Sequence, residues 1–108
     1  MDKDRARLVG LYDRYGALLT EKQSLYFEER YHDDLSLSEI AENEGVSKQA
    51  VRDLLVRTEK TLESLEAKLG IDGLLRELDR SLDGLAELIE RRESESALGI
   101  INEMKERF

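Results

Sequence analysis

Several residue types that would point to particular chemistry are missing or nearly missing from this sequence. It contains no cysteine, no proline and no tryptophan, and its only histidine is His32. The absence of cysteine excludes disulfide bonds, thiolate nucleophiles and cysteine zinc sites, and one histidine cannot pair with another to bind a metal. Because the sequence also lacks a glycine-rich phosphate loop, we expect no catalytic residue, no metal ligand and no cofactor.

Long apolar runs are also missing. No run approaches the roughly 20 residues that cross a bilayer, and the first residues, Met1-Asp-Lys-Asp-Arg, lack the apolar core of a signal peptide. These two observations predict a cytoplasmic protein without membrane insertion.

The residues that are present favour helices. Of the 108 residues, 40% are hydrophobic and 39% are charged, whereas only 6% are aromatic. This usage predicts an all-α protein, and the apolar residues recur in stripes that are sufficient for a folded core. The length suits a single hydrophobic core, which usually forms from about 50 to 200 residues.

The net charge of -8 is spread unevenly along the chain. Residues 1–46 contain six basic and eleven acidic residues, and residues 61–108 contain seven and twelve. Residues 47–60 contain four basic and two acidic residues, so that only this short stretch is positive. Any nucleic-acid contact must therefore come from a local patch and not from the whole surface.

Capping signals and apolar spacing predict four helices in the first 70 residues. A capping box of Thr20 and Gln23 opens the second helix, which runs through about Tyr31. The helix before it ends near Gly16 or Leu19. Its apolar face consists of Leu8, Leu11, Tyr12, Tyr15 and Leu19.

The third and fourth predicted helices adjoin each other. A second capping box, of Ser36 and Glu39, opens a short helix that ends at Gly45. Ser47 caps the next helix, which meets no breaker before Gly70 and is therefore unusually long. Its apolar positions, at steps of three and four, are Val51, Leu55, Leu62, Leu65 and Leu69.

The remaining residues predict two more amphipathic helices. We therefore expect a helix-turn-helix domain over residues 1–70, followed by C-terminal helices over residues 71–108 that pack on the long helix, form a dimer interface, or both. The first C-terminal stripe is Ile71, Leu75, Leu78, Leu82, Leu85 and Ile89, widened by Leu74 and Leu88. The last helix, of about three turns, presents Ala97, Ile100, Ile101, Met104 and Phe108.

The segment Leu37–Leu54 has the pattern of a helix-turn-helix motif. Ala41 is small where two helices must cross closely, and Gly45 can adopt the positive φ of a tight turn. Val46 then anchors the turn in the core. Such a pair of helices can place the N-terminal residues of the second helix in the major groove of DNA.

The exposed side of that second helix supplies the candidate DNA contacts. Gln49 can pair with adenine and Arg52 with guanine, whereas Lys48 and the helix N-terminus at Ser47 suit phosphate. Asp53 lies beside these residues, and the acidic residues of the preceding helix also weaken non-specific binding. Arg57 and Lys60 lie further along the helix and fit phosphate contacts better than base contacts.

Several stretches resemble known helix-turn-helix proteins. With Leu19-Thr-Glu-Lys-Gln before it and Arg57-Thr-Glu after it, the motif resembles region 4 of bacterial sigma factors over about residues 19–65. With Leu11-Tyr-Asp-Arg-Tyr-Gly-Ala-Leu-Leu-Thr-Glu-Lys-Gln and Asp34-Leu-Ser-Leu-Ser-Glu-Ile-Ala-Glu added, most of the chain through Leu69 resembles the YlxM family.

The YlxM resemblance implies a small helix-turn-helix protein of Gram-positive bacteria that is encoded beside signal recognition particle genes and acts in or regulates that pathway. It assigns the recognition helix to Ser47, Lys48, Gln49, Arg52 and Asp53, and it supplies no catalytic residue.

Two functions and a structural alternative stay open at this point. The first function is DNA-binding transcription regulation by a homodimer, because one recognition helix with few basic residues makes few contacts alone. The second is a non-catalytic adaptor that contacts the signal recognition particle, its RNA or RNA polymerase, which the charge of -8 favours. Alternatively, the motif is a compact helical corner for protein contacts.

An enzyme is disfavoured, because its only candidates are surface carboxylates that typically cap or solvate helices. They are Glu28, Glu29, Asp33 and Asp34.

Overall fold

A computed structural model describes residues 2–108, and every regular element among them is helical, which confirms the all-α prediction. The chain divides after Gly70 into an N-terminal unit with four helices and a C-terminal unit, Ile71–Phe108, with two. The helices are α1 (Asp2–Tyr15), α2 (Glu21–Tyr31), α3 (Leu37–Glu44), α4 (Lys48–Leu69), α5 (Ile71–Glu90) and α6 (Ser94–Arg107). None of the described helices is long and apolar enough to span a membrane.

Side-chain caps begin α2, α3 and α4 at the predicted residues. The Gln23 N–H donates to Thr20 Oγ1 at 3.1 Å, and the Thr20 N–H donates to Gln23 Oε1 at 3.0 Å. Ser36 and Glu39 form the same reciprocal pair, with both bonds at 3.0 Å. Ser47 Oγ accepts the N–H three residues further on at 3.0 Å. Each cap satisfies backbone donors that the first turn of a helix leaves unpaired.

Helix ends follow the glycines. Gly45 ends α3 with a φ of 66° and Gly70 ends α4 with a φ of 62°, the left-handed region in which a Cβ atom is unfavourable. The first helix ends at Tyr15 and continues as a 3-10 turn over Gly16–Leu18. The predicted boundaries in the N-terminal unit therefore agree with the structure to within a few residues.

Helix α4 forms the centre of the N-terminal unit, and α1, α2 and α3 pack against it. Its buried residues are shared between two apolar clusters. Thr58 is the polar member of this buried face, and its hydroxyl donates to the Leu54 carbonyl at 2.8 Å, so that burial leaves it satisfied. The first cluster is Tyr26, Ile40, Ala41, Val51 and Leu55, and the second is Leu11, Tyr15, Phe27 and Leu62.

Aromatic side chains join α1 to α2 within the second cluster. The Tyr12 ring stacks on the Phe27 ring with centroids 4.4 Å apart, and Phe27 lies 4.5 Å from the Tyr31 ring. Tyr15 and Tyr26 are buried. The tyrosines therefore belong to the helical core, as the apolar spacing predicted for Tyr12 and Tyr15. His32 caps the end of α2, where its N–H donates to the Glu28 carbonyl at 2.9 Å.

The C-terminal unit is an antiparallel pair of helices. Arg107 forms a bidentate ion pair with Glu77, and a Cβ atom at Gly84 would lie 3.6 Å from Ile100 Cδ1, which is ordinary contact. The last helix is longer than the predicted three turns, because α6 already begins at Ser94 and extends for 14 residues, nearly four turns. The expected packing of residues 71–108 on the long helix concerns how the two units are arranged, and it stays a prediction.

Candidate nucleic-acid interface

Helices α3 and α4 and the turn between them form a helix-turn-helix. Gly45 reverses the chain after α3, and the Val46 N–H donates to the Ala41 carbonyl at 3.1 Å, which holds the turn against the end of the helix. Ile40 and Val51 are fully buried where the two helices cross. Because the crossing is a packed core, α3 can fix the direction in which the start of α4 points.

Every residue that the sequence analysis assigned to the recognition surface is exposed. Gln49, Arg52, Asp53, Arg57 and Lys60 fall between the buried positions of α4 at the helical period, whereas Ser47 and Lys48 are exposed at its start. The seven are Ser47, Lys48, Gln49, Arg52, Asp53, Arg57 and Lys60. We call this exposed set of residues the α4 face.

The basic side chains of the α4 face are available to a ligand. None of Lys48, Arg52, Arg57 and Lys60 has a side-chain hydrogen bond or ion pair with another residue that the structure describes. Asp53 is the one acidic residue assigned to the face, which therefore has four positive charges and one negative charge. The net charge of the face is therefore more positive than that of residues 47–60 as a whole, which contain two acidic residues.

This difference is due to Glu59, which, like the later glutamates of α4, interacts with another helix. The Tyr31 hydroxyl donates to Glu59 Oε1 at 2.7 Å. The Arg7 guanidinium donates two hydrogen bonds to Glu63, from Nε to Oε2 at 2.8 Å and from Nη2 to Oε1 at 2.5 Å. The Tyr15 hydroxyl donates to Glu66. These carboxylates stabilise the N-terminal unit, because each is bound by a side chain of another helix.

The titration behaviour of these groups agrees with the contacts. The hydrogen bond from Arg7 holds the pKa of Glu63 below its usual value. Burial, followed by the neighbouring Glu59 carboxylate, raises the pKa of Tyr31 to about 12. Both groups therefore keep their hydrogen-bonding states at neutral pH, with Glu63 ionised and Tyr31 protonated.

A hydrogen bond within the α4 face connects the candidate adenine contact to the acidic residue of the face. Gln49 Nε2 donates to Asp53 Oδ1 at 2.8 Å. Together with Arg52, Val56 and Arg57, these two residues line a shallow surface depression. The bond holds Gln49 in one orientation and places a carboxylate beside the guanidinium side chains. The sequence spacing of four permits this pair on a helix, but it does not require it.

One carboxyl group contradicts the surface assignment made from sequence. Glu29 is buried, and its Oε1 atom has no hydrogen-bond partner among the described residues. Burial, and then the Glu44 side chain near it, raises the pKa of Glu29. The assignment was wrong because Glu29 lies one helical turn after buried Tyr26, on the side of α2 where Glu44 of α3 lies near it, and this packing has no local signal in the sequence.

The acidic surface of α3 is partly engaged in capping. Glu39 accepts the Ser36 N–H, and its pKa is lowered chiefly by this bond. Glu42 is exposed, whereas Glu44 lies near Glu29. The helix that precedes the α4 face is therefore negative, and the positive surface is confined to α4 itself.

The packed crossing, the glycine turn and the exposed second helix define the chain as a helix-turn-helix protein. Residues 2–106 match the sequence profile of a family described as "Putative helix-turn-helix protein, YlxM / p13 like", which is designated UPF0122. The chain belongs to this family.

Curated relatives in bacteria carry the same family name. A UPF0122 protein of Thermoanaerobacter sp. strain X514 is 42% identical over 108 residues, which covers 96% of this chain and 92% of the relative. A UPF0122 protein of Latilactobacillus sakei is 48% identical over 79% of this chain and 75% of its own length. One from Streptococcus agalactiae is 57% identical over 58% of this chain and 57% of its own length. The resemblance noted from the motifs is thus confirmed for the family.

Proposed function

We propose that the protein binds DNA through the α4 face and acts in the cytoplasm as a transcription regulator. The observation that carries the proposal is the separation of charge on α4: its glutamates bond to other helices, whereas its basic side chains project from the exposed side. A helix presented in this way by a helix-turn-helix has the shape and charge to enter a major groove.

The side chains of the α4 face divide into two groups by their chemistry. Arg52 can donate two hydrogen bonds to guanine, and Gln49 can bind adenine once its bond to Asp53 opens. Lys48, next to the capped start of α4 at Ser47, suits a phosphate. Arg57 and Lys60 lie about one and two turns after Arg52, and they would contact phosphates of the DNA backbone.

The binding would depend on this local surface. The whole chain has a net charge of -8, so the remaining surface repels a polyanion. We therefore expect low non-specific affinity and a strong dependence on salt. A homodimer would double the contacts, which is the usual way for a single recognition helix to gain affinity and specificity.

The link to the signal recognition particle pathway is also part of this proposal. It rests on the resemblance of residues 11–69 to the YlxM family and on no contact within the structure. Under it, the DNA that the α4 face binds lies in the protein's own operon, and binding controls the synthesis of components of the pathway.

An adaptor that contacts the signal recognition particle, its RNA or RNA polymerase is the second candidate. The acidic surface outside the α4 face favours it, because such a surface suits a basic protein partner. Under this alternative the helix-turn-helix is a rigid corner, and substitutions on the α4 face leave the partner bound.

Titration of the protein into labelled operon DNA and into the particle RNA, at low and at physiological salt with scrambled competitors, tests the proposal. Arg52→Ala should weaken operon binding by about 5- to 150-fold, the loss of one bidentate base contact. Arg80→Ala removes the same charge from an exposed position on α5 and serves as the matched control.

Operon binding that survives competitor and is lost in Arg52→Ala but not in Arg80→Ala would support base reading by α4. Equal binding to operon and scrambled DNA, or equal effects of the two substitutions, would refute it. Binding to the particle RNA that is insensitive to Arg52→Ala and Gln49→Ala would favour the adaptor.

A further inference from the structure

The apolar stripe of α5 is only partly covered within the C-terminal unit. This unit has 38 residues, and Ala97 is its one buried hydrophobic residue among those described. Ile71, Leu82 and Ile89 are 40%, 46% and 62% exposed. Units of fewer than about 40 residues rarely bury enough apolar surface alone and commonly gain it by association. The exposed stripe is therefore a candidate interface.

Helix α6 packs on one flank of this stripe and leaves Leu82, near its middle, 46% exposed. Its established contacts on α5 are Glu77, which pairs with Arg107, and Gly84, which approaches Ile100. These two residues are seven apart and share one side of α5, roughly 120° around the helix from the centre of the stripe. We call the row of Ile71, Leu75, Leu78, Leu82, Leu85 and Ile89 the α5 seam. Its first, fourth and last members are exposed, and the other three are half-buried.

The spacing of the α5 seam is that of a helix-pairing surface. Its steps of four, three, four, three and four residues alternate as in a heptad repeat, which is the pattern of knobs that insert between the side chains of a second helix. The seam extends over nearly the full length of α5, about 27 Å at 1.5 Å per residue. A single helix of matching length would cover it.

The α5 seam is also symmetric about its own middle. Counted outward from Arg80, Leu78 matches Leu82 and Leu75 matches Leu85, and Ile71 matches Ile89 at the two ends. When two copies of α5 lie antiparallel, each of these side chains faces one of the same type from the other copy. This self-complementarity is the property that an interface with twofold symmetry requires.

We propose that two copies of the chain associate through the α5 seam as an antiparallel helix pair, with α6 of each copy on the outer flank. Antiparallel pairing also places the positive end of each helix dipole beside the negative end of the other. Arg80 lies on the opposite side of α5 and stays in water.

Sedimentation equilibrium of the full chain without nucleic acid, from about 1 to 100 µM, measures the association. The parent chain should be a dimer that Leu82→Glu converts to a monomer, with self-association weakened by at least about 100-fold because the pair would bury two unpaired carboxylates. Arg80→Glu places the same carboxylate on the opposite side of α5 and should leave the dimer intact. A monomeric parent, or a dimer insensitive to Leu82→Glu, would overturn the proposal.

Disulfide formation tests the orientation, since the chain has no cysteine of its own. A mixture of the single variants Ile71→Cys and Ile89→Cys should form a cross-linked dimer of one chain of each kind, whereas neither variant alone should cross-link efficiently. Efficient cross-linking of each variant to itself would indicate parallel helices and overturn the antiparallel seam. This inference rests on the homodimer of the proposed function. Because both experiments omit DNA, their failure would remove that homodimer and leave DNA binding by the α4 face to its own test.

Discussion

Asp53 offers the sharpest single test of how the α4 face works. It is the acidic residue within a basic surface, and its carboxylate accepts the Gln49 side chain at 2.8 Å. Asp53→Asn keeps an oxygen that can accept the same hydrogen bond, so that the substitution changes the charge with little change in shape. Any effect on DNA binding is then electrostatic, and its size can be calculated.

A unit charge about 10 Å from a phosphate in water is repelled by about 0.4 kcal/mol. Duplex DNA has one phosphate charge per roughly 1.7 Å of axis, so that two or three phosphates lie at about this distance from a side chain in the groove. Their sum is about 1 kcal/mol, which corresponds to roughly fivefold tighter binding by the Asp53→Asn variant at low salt. At 0.1 M salt, where the Debye length is about 10 Å, the gain should fall to about twofold or less.

Fluorescence anisotropy with a duplex of unrelated sequence, at low and physiological salt, measures the gain directly. Asp83→Asn removes an equal charge from an exposed position on α5 and should leave binding nearly unchanged. If Asp53→Asn gives no tighter binding at low salt, or if both variants gain equally, Asp53 does not face the DNA and the α4 face is wrongly assigned. Weaker operon binding together with tighter non-specific binding would instead assign Asp53 to a cytosine contact.

Two stability predictions follow from the core of the N-terminal unit. Leu62→Ala removes a fully buried side chain and should lower the free energy of unfolding by about 2–5 kcal/mol, whereas Glu63→Ala should cost about 1 kcal/mol or less because its ion pair with Arg7 is half exposed. Glu29→Gln should be more stable than the parent at neutral pH. The raised pKa of buried Glu29 means that its stabilising contribution is present below its unfolded value of 4.5 and is lost as pH rises through the folded value.

Urea denaturation of the full chain measures both effects. Equal losses of unfolding free energy for Leu62→Ala and Glu63→Ala would contradict the prediction that the apolar cluster around Leu62 contributes more than the ion pair to holding α1 on α4. For Glu29→Gln, the advantage over the parent should shrink as the pH is lowered towards 4; an advantage that does not change with pH would assign it to packing and not to ionisation.

Much of the N-terminal unit was predictable because its signals are local. The capping boxes at Thr20 and Ser36 and the glycine at position 45 act within one turn of chain, and the structure contains each of them. The helical period likewise identified Val51, Leu55 and Leu62 as buried. A period of 3.6 residues separates an inner from an outer face whatever lies against it.

Other features depend on residues far apart in the chain. The bonds of Arg7 to Glu63 and of Tyr31 to Glu59 join residues 56 and 28 positions apart, and no spacing rule relates such pairs. The burial of Glu29 was missed for the same reason, because it depends on where α3 packs against α2.

Residue order along the chain was enough to specify an all-helical protein, the helix-turn-helix over Leu37–Leu54 and the set of residues on the outer side of the long helix. Those properties follow from composition, caps and periodicity, which operate within a few residues of each other. Only the tertiary structure decided the charge of that outer side, since it turned the glutamates of α4 toward α1 and α2 and left the basic residues in solvent. Packing also decided that α6 contacts the flank of α5 at Glu77 and Gly84. The apolar stripe of α5 does not by itself specify on which of its two flanks a neighbouring helix packs.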